Sequence, residues 1–133
     1  MDMEKTLVLI KPDAVERNLI GKIIALYEAQ NLKVTHLRLV QADEELATKH
    51  YEEHVGRPYF PPLLTYITRS PLVALVLEGE EAIQKVRAIN GKTNPEDAEE
   101  GTVRKLYGVN NRENTVHASD SKESAEREMA IWF

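Results

Sequence analysis

His117 and Glu128 are the two residues whose chemistry and spacing point most directly to catalysis. His117 lies in residues 114–120, a segment that leads from a long loop toward the last helix. Glu128 follows beside the apolar stripe of that helix, where packing alone would favour an uncharged side chain. A carboxylate that reaches back to the imidazole would fix its tautomer and leave the other ring nitrogen free as a nucleophile. Two structural alternatives stay open: a histidine that only packs before a helix, and a glutamate that pairs with a lysine or arginine.

The other three histidines, His36, His50 and His54, carry weaker signals. His50 and His54 stand four residues apart in the run H-Y-E-E-H, a spacing that can bind zinc from one helix face. Because the order is not H-E-x-x-H and no third ligand is evident, we expect both side chains on a solvated helix face. His36 falls within a strand pattern and is interpreted as a surface or packing residue.

The composition restricts the kinds of ligand that the chain can hold. Its 133 residues suit one domain, residues 1–133, and the net charge of -5 excludes a protein-wide basic field for nucleic acid. The glycine-rich phosphate loops G-x-x-x-x-G-K-[S/T] and G-x-G-x-x-G are absent, so phosphates would have to be held by a local cluster of cationic side chains. Cysteine is absent, which excludes disulfides and thiolate metal sites. Residues 1–5 show no signal peptide and the longest apolar run, residues 72–77, is too short to span a bilayer, so we expect a cytoplasmic protein with no membrane partner.

The elements that must position this chemistry form an α+β pattern. Continuous apolar runs predict strands buried on both faces at residues 6–10 and 72–77, and imperfect alternation predicts a third strand at residues 32–40. A short last strand precedes the final helix. Amphipathic or capped segments predict helices at residues 21–30, 43 to about 54, 60–67, 79–89 and 120 to about 132.

Two caps and one loop complete this prediction. Asp43 is expected to cap the second helix, and Asp120 the last one through a capping box with Glu123. Residues 92–114 lack periodicity, and a loop of that length in a compact domain is usually functional. The order of elements predicts a ferredoxin-like βαββαβ fold, with an antiparallel sheet, helices on its faces and a long loop before the final strand.

Seven segments in chain order resemble one enzyme family. Residues 114–121, Asn-x-x-His-Ala-Ser-Asp-Ser, resemble the active-site signature N-x-x-H-G-S-D of the nucleoside diphosphate kinases. Six further segments resemble that family's motifs, and the matches run from about residue 6 to residue 133: residues 6–15, 57–60, 70–73, 91–95, 101–104 and 124–128. The resemblance implies transfer of the γ-phosphoryl group of a nucleoside triphosphate, typically ATP, to a nucleoside diphosphate. The transfer would follow a ping-pong mechanism that maintains nucleotide pools.

The resemblance also implies a role for each matching residue. His117 would be the nucleophile that becomes phosphorylated, with Glu128 bonded to its other ring nitrogen and Ser119 assisting. The base would lie between Tyr59 and Leu63, and such stacking tolerates any base. Mg²⁺ would arrive bridging the phosphates, with no metal site built from protein side chains. The phosphates and sugar would be met by Lys11, Tyr51, Arg87, Thr93, Arg104 and Asn114.

Some positions depart from the family pattern. Ala118 replaces the usual glycine, and alanine would be strained if that backbone needs a positive φ; we expect the site to tolerate it. Tyr59 replaces the usual phenylalanine and should still stack. Lys105-Leu106 replaces the usual Gly-Asp or Ala-Asp, which bears on subunit contacts. A homo-oligomer built from dimers is implied, with a hexamer favoured over a tetramer.

Two alternatives compete with an active kinase. The same order of elements occurs in modules that bind RNA or DNA without catalysis, but the negative charge and the lack of an aromatic RNA-binding strand make nucleic acid an unexpected partner. The other alternative is a family member that has lost activity. The presence of the six key side chains argues against it: Lys11, Arg87, Arg104, Asn114, His117 and Glu128.

Overall fold

The computed structural model describes residues 3–133, so Met1 and Asp2, which belong to the segment interpreted as lacking a signal peptide, lie outside the described residues. Within residues 3–133, four strands form one sheet in the order β2-β3-β1-β4, and every neighbouring pair is antiparallel. This confirms the predicted antiparallel, ferredoxin-like α+β fold. The strands are β1 (Met3–Ile10), β2 (Lys33–Val40), β3 (Leu72–Glu80) and β4 (Val116–Ala118).

Helices cover both faces of the sheet. They are α1 (Pro12–Glu16), α2 (Ile20–Glu28), α3 (Glu44–His50), α4 (Phe60–Thr68), α5 (Ala82–Asn90), α6 (Val103–Tyr107) and α7 (Lys122–Trp132). Two short 3-10 turns lie at Glu52–His54 and Pro95–Asp97. In the described part of the chain, no helix is long and apolar enough to cross a membrane.

Residues 6–10 of the central strand β1 are buried, and successive side chains point to opposite faces of the sheet, where each set meets a core. Val8 and Ile10 pack into a cluster with side chains of α2 and α5, whereas Leu7 and Leu9 pack with side chains of α3, α4 and α7. The continuous apolar run at residues 6–10 is therefore required by two cores. β1 ends at Ile10, and the next residue, Lys11, leaves the sheet at the edge where the candidate site lies.

The predicted helix at residues 79–89 is wrong at its first turn. Gly79 and Glu80 still belong to β3, where they pair with Glu4 and Met3. A Cβ added at Gly79 would lie 2.9 Å from Leu32, so this glycine permits a close approach to Leu32 and does not begin a helix.

Two short helices were not predicted. α1 begins with Pro12 at its first position. Proline is tolerated there because the N–H that it lacks would have no hydrogen-bond partner within the helix. α6 lies inside the segment interpreted as a loop, residues 92–114, and its cap is Thr102, whose side chain accepts a hydrogen bond from the Lys105 N–H. Each helix has five residues, which is too short for helical periodicity to be recognised in the sequence.

The two predicted caps have different outcomes. Asp43 caps α3 as predicted, since its Oδ1 accepts a hydrogen bond of 2.8 Å from the Leu46 N–H. The prediction for Asp120 is wrong, because Ser121 caps α7 and its Oγ accepts from the Ser124 N–H at 3.1 Å. Asp120 precedes the cap by one residue and lines the cavity described below.

Candidate active site

A cavity of about 1130 Å³ opens where β1 and β4 end beside α3, α5 and α7. That volume slightly exceeds the usual range for small-molecule sites, roughly 300 to 1,000 Å³. Most of the residues predicted for the site from sequence line this one cavity. They are Lys11, Tyr51, Arg87, Thr93, Arg104, Asn114, His117 and Glu128.

Strand β4 directs His117 into the cavity. Its neighbours Val116 and Ala118 are buried in the core, so the alternation of the strand turns the His117 ring the other way. The His117 position pairs with Leu9 in the buried half of strand β1, which holds the backbone in place. Ala118 is not among the residues with positive φ and packs as an ordinary strand residue, so its methyl group causes no backbone strain.

The proton on His117 is fixed by a buried carboxylate. Nε2 of His117 lies 2.8 Å from Oε1 of Glu128, and the Ser119 hydroxyl donates to the same oxygen at 2.8 Å. An ionised carboxylate only accepts hydrogen bonds, so Nε2 carries the proton and Nδ1 keeps its lone pair. Nδ1 is therefore the ring nitrogen available as a nucleophile.

His50 is the functional neighbour that sequence reasoning placed wrongly. It was expected on a solvated helix face, but its side chain is buried and its ring centre lies 4.6 Å from that of His117, edge to face. Trp132 is the cause, since its indole Nε1–H donates to His50 Nδ1 at 3.0 Å from the far end of α7. Burial first, and then the neighbouring charge of His117, hold the pKa of His50 well below its ordinary value.

Within residues 3–133, one group of three ligand-type side chains could hold a metal: His50, His117 and Glu128, with ligand atoms within 4.8 Å of one another. The indole N–H of Trp132 can only donate, so Nδ1 of His50 holds a lone pair and the ring proton sits on Nε2. Neither ring nitrogen of His50 is then free to bind a metal. The donors also do not suit Mg²⁺, which prefers oxygen ligands and keeps several waters.

Lys11 is a buried amine at the rear of the cavity. Its Nζ donates to Asn114 Oδ1 at 2.8 Å. Burial, and then the charge of Arg104, lower the pKa of Lys11 to about 7, and the carboxylate of Asp13 partly opposes that change. A phosphate at this position would restore the favourable environment for the ammonium form.

Arg104 is held by the backbone on two sides. Its Nη1 donates to the Gly91 carbonyl and its Nη2 to the Val116 carbonyl, both at 2.8 Å. Burial is the main reason that the pKa of Arg104 is lowered, and Arg87 on α5 adds a repulsive positive charge. Lys11, Arg87 and Arg104 therefore line one cavity, and their positive charges are not each balanced by a paired carboxylate. This arrangement favours a polyanionic ligand.

Two polar side chains complete the lining. The Tyr51 hydroxyl is buried and has no hydrogen-bond partner among residues 3–133, so it is free to bond a ligand. Burial, and then the charge of Glu128, raise its pKa, which keeps it a donor at neutral pH. Asn114 is oriented by its amide group, which donates to the carbonyls of Thr93 and Asn111 at 3.1 Å each.

The two residues expected to hold a base lie outside this cavity. Tyr59 is 44% exposed and lines an adjoining groove with Glu53, His54 and Arg57. Its hydroxyl lies 2.6 Å from Nδ1 of His54, which fixes the orientation of the tyrosine ring. Leu63 packs partly buried against the core cluster on the same face of the sheet as α7. Because Glu53 and His54 line both spaces, the groove lies next to the cavity.

Comparison with known proteins agrees with the geometry. The family model described as "Nucleoside diphosphate kinase" matches residues 4–133. A protein of that name from Clostridium perfringens is 59% identical over 133 residues, which is 100% of this chain and 93% of that protein. A nucleoside diphosphate kinase from Pyrococcus furiosus is 50% identical over 135 residues, covering 99% of this chain and 84% of its own length.

Solved structures give the same result for the fold. The nucleoside diphosphate kinase of Aquifex aeolicus has a TM-score of 0.96 and 37% identity, covering 99% of this chain and 96% of its own. A halophilic nucleoside diphosphate kinase from Halobacterium salinarum, solved in complex with CDP, has a TM-score of 0.96 and 41% identity, covering 99% of this chain and 88% of its own.

Proposed function

The chain belongs to the nucleoside diphosphate kinase family, and from that premise we propose that His117 is its phosphorylated nucleophile. The observation that carries this proposal is the 2.8 Å contact between His117 Nε2 and Glu128 Oε1, because it leaves a lone pair on Nδ1 of a histidine that lines the cavity. Nδ1 attacks the γ-phosphorus of a nucleoside triphosphate. A P–N bond forms, the bond from the γ-phosphorus to the bridging oxygen breaks, and the diphosphate leaves with that electron pair.

The second half of the cycle reverses the first on a different nucleotide. A terminal phosphate oxygen of the incoming diphosphate attacks the phosphohistidine, and the P–N bond breaks with its electron pair returning to Nδ1. During both steps the positive charge on the imidazole is stabilised by the Glu128 carboxylate through the Nε2–H. Glu128 keeps its own charge, and no proton needs to leave the site.

Cationic and hydroxyl groups hold the transferring phosphoryl group. In the proposed complex, Lys11, Arg87 and Arg104 balance the charge on the phosphate oxygens, which is largest in the transition state. The unpaired Tyr51 hydroxyl donates to an oxygen of the phosphoryl group. Thr93 and Asn114 contact the sugar and phosphates, and Lys11 with Asn114 reaches the ribose hydroxyls.

The remaining expectations concern the substrate and its surroundings. We propose that the base stacks between Tyr59, which lines the groove, and Leu63, and that such stacking gives broad base tolerance; we propose broad sugar tolerance as well. A divalent ion, Mg²⁺, enters with the phosphates as part of the substrate. We also propose one functional domain over residues 1–133, a cytoplasmic location, and a homo-oligomer of dimers, a hexamer before a tetramer.

The test of this proposal is a labelling experiment with two half-reactions. Purified protein with Mg²⁺ and γ-labelled ATP, without acceptor, is expected to give acid-labile, base-stable label on His117, which moves to GTP when GDP is added. The control is His117→Gln, which keeps a polar side chain of similar size and should fold but take no label. Unlabelled wild-type protein that still binds ATP would exclude the covalent mechanism, as would wild-type turnover in His117→Gln.

A nucleic-acid-binding module is the less favoured alternative. Salt-sensitive binding to single strands together with absent phosphotransfer would support it. The net charge of -5 and the contact between half-buried His117 and buried Glu128 give such a module no evident advantage.

A further inference from the structure

The backbone immediately before the nucleophile strand adopts an unusual conformation at Thr115. This residue has a φ of 79°, and the Val116 N–H donates to the Asn114 carbonyl at 2.9 Å across it, so residues 114–116 form a γ-turn. A β-branched side chain at positive φ is strained and persists only where surrounding contacts hold it. Thr115 is also completely buried, so those contacts come from the protein interior.

The side chain that meets Thr115 is the carboxylate of Asp13. The Thr115 hydroxyl donates to Asp13 Oδ2 at 3.2 Å, and Arg17 Nη2 lies 3.2 Å from the same oxygen. The Tyr66 hydroxyl donates to Oδ1. Asp13 is only 3% exposed, and a buried carboxylate is costly unless such donors satisfy it. One carboxylate therefore joins α1, α4 and the γ-turn.

The γ-turn is connected to the cavity on both sides. The residue before it, Asn114, receives the Lys11 ammonium at 2.8 Å. The Thr115 carbonyl accepts the Lys11 backbone N–H at 2.8 Å, and the Val116 carbonyl accepts Arg104 at 2.8 Å. A movement of Thr115 would thus displace two of the three cationic groups, and His117 lies two residues further along.

We propose that Asp13 is a positioning residue for phosphoryl transfer, acting through its hydrogen bond to Thr115 to hold the γ-turn that places Asn114, Lys11 and the nucleophile strand. Asp13 does not line the cavity and touches no substrate in this arrangement. The inference rests on the proposed role of His117, since it describes how that site is held. Positional errors of about 1 Å remote from the reacting atoms can cost about a hundredfold in rate, which makes such a holding residue important.

Asp13 also acts on the cavity through its charge. The charged and titratable groups around Lys11 are Asp13, Arg104, Tyr66 and His50. Among the causes that set the pKa of Lys11, only the Asp13 carboxylate favours the ammonium form. With Asp13 present, that pKa is about 7. Loss of the carboxylate would lower it further, so Lys11 would be neutral over more of the working pH range.

A matched set of variants at Thr115 isolates the hydrogen bond. Thr115→Val keeps the shape and branching but removes the hydroxyl, whereas Thr115→Ser keeps the hydroxyl. We expect kcat/KM to fall about tenfold or more in Thr115→Val, because a hydrogen bond to a charged group is lost, and to stay within about threefold in Thr115→Ser. Thr35→Val is the control for the substitution itself, since Thr35 lies on the far edge strand β2 and its kcat/KM should not change.

Asp13→Asn supplies an independent measurement, the pH profile of kcat/KM, which reports groups of the free enzyme. We expect its alkaline limb to move to lower pH, a change that a purely structural role would not cause. Circular dichroism and thermal unfolding establish that each variant is folded.

Each outcome separates this inference from the proposed function. If wild-type protein labels His117 but Thr115→Val keeps wild-type kcat/KM and Asp13→Asn keeps the wild-type alkaline limb, the positioning role is wrong and the kinase mechanism stands. If wild-type protein takes no label at all, the proposed function itself fails. Should Thr115→Val not fold, the pH profile of Asp13→Asn decides alone.

Discussion

Replacing Glu128 with glutamine is the sharpest test of how the nucleophile is prepared. The carboxylate oxygen Oε1 accepts two hydrogen bonds, from His117 Nε2 and from the Ser119 hydroxyl, each at 2.8 Å. An amide of the same size can still accept from both, but it has no charge to stabilise the imidazolium that forms when Nδ1 is phosphorylated. If the amide group instead turned its N–H toward His117 Nε2, it would favour the tautomer that carries the ring proton on Nδ1. In that tautomer Nδ1 has no lone pair with which to attack phosphorus.

The magnitude follows from the loss of charge-assisted hydrogen bonds. Such bonds contribute about 1.5 to 3 kcal/mol net, so the rate constant for phosphorylation of His117 in Glu128→Gln should fall by about 10- to 150-fold. The assay is rapid-quench single turnover with γ-labelled ATP in excess of its KM, which separates the chemical step from binding and release. Glu126→Gln, at an exposed position on the same helix α7, is the matched control, and its rate constant for phosphorylation of His117 should equal that of the wild type.

A wild-type phosphorylation rate in folded Glu128→Gln would refute the reasoning, because it would show that neither the carboxylate charge nor the tautomer limits the attack. A fall confined to ATP affinity would refute it equally, since Glu128 would then act on substrate binding. Ser119→Ala removes one of the two donors and leaves the charge. Its rate should fall less than that of Glu128→Gln.

Three further predictions concern groups around the nucleophile. His50→Phe leaves the buried indole N–H of Trp132 without an acceptor, so the free energy of unfolding measured in urea should fall by about 1 to 3 kcal/mol. A free energy of unfolding equal to that of the wild type would contradict this prediction. The pKa of Lys11 is about 7 in the folded protein against an ordinary value of 10.5, so the unfolded chain binds more protons between those values and stability should rise with pH across that window. Lys11→Met should abolish this part of the rise in urea titrations at pH 7 to 10, and an unchanged slope would mean that the amine is not buried in solution. Tyr59→Ala should raise the nucleotide KM by about 5- to 150-fold because base stacking is lost. Tyr59→Phe loses only the hydrogen bond to His54, so its KM should stay within about tenfold of the wild-type value. Equal KM values for the wild type and both variants would place the base elsewhere.

The strands and the contact between His117 and Glu128 were predictable because their signals are local in the sequence. The apolar run at residues 6–10 is continuous since both faces of β1 are buried, and this pattern predicts a central strand. Glu128 stood out because a carboxylate beside an apolar helix stripe needs a partner, and the structure provides that partner in His117 at 2.8 Å. In both cases the residue types themselves carry the physical requirement.

The misplaced features depend on contacts between distant segments. His50 was expected in solvent because the H-Y-E-E-H run lacks the metal-binding order and a third ligand, but Trp132, 82 positions away in the chain, covers it and supplies its hydrogen bond. Ser121, and not Asp120, caps α7. Both residue types cap helices well, so only the course of the backbone after β4 decides between them. Short helices such as α1 and α6 were missed because one turn and a half contains too little periodicity.

The two carboxylates that act on the reactive and cationic groups of the site, Glu128 and Asp13, are both engaged by other side chains. Glu128 is engaged by His117 and Ser119, and Asp13 is buried beneath Lys11 with no share in the cavity lining. Each carboxylate therefore favours a positive charge on its neighbour, Glu128 on His117 and Asp13 on Lys11. Exchanging either for its amide should weaken that group's charge and leave the shape of the site, whereas removing Lys11 should weaken nucleotide binding itself. This difference between kcat and KM effects would distinguish the two carboxylates from the residues that contact the substrate.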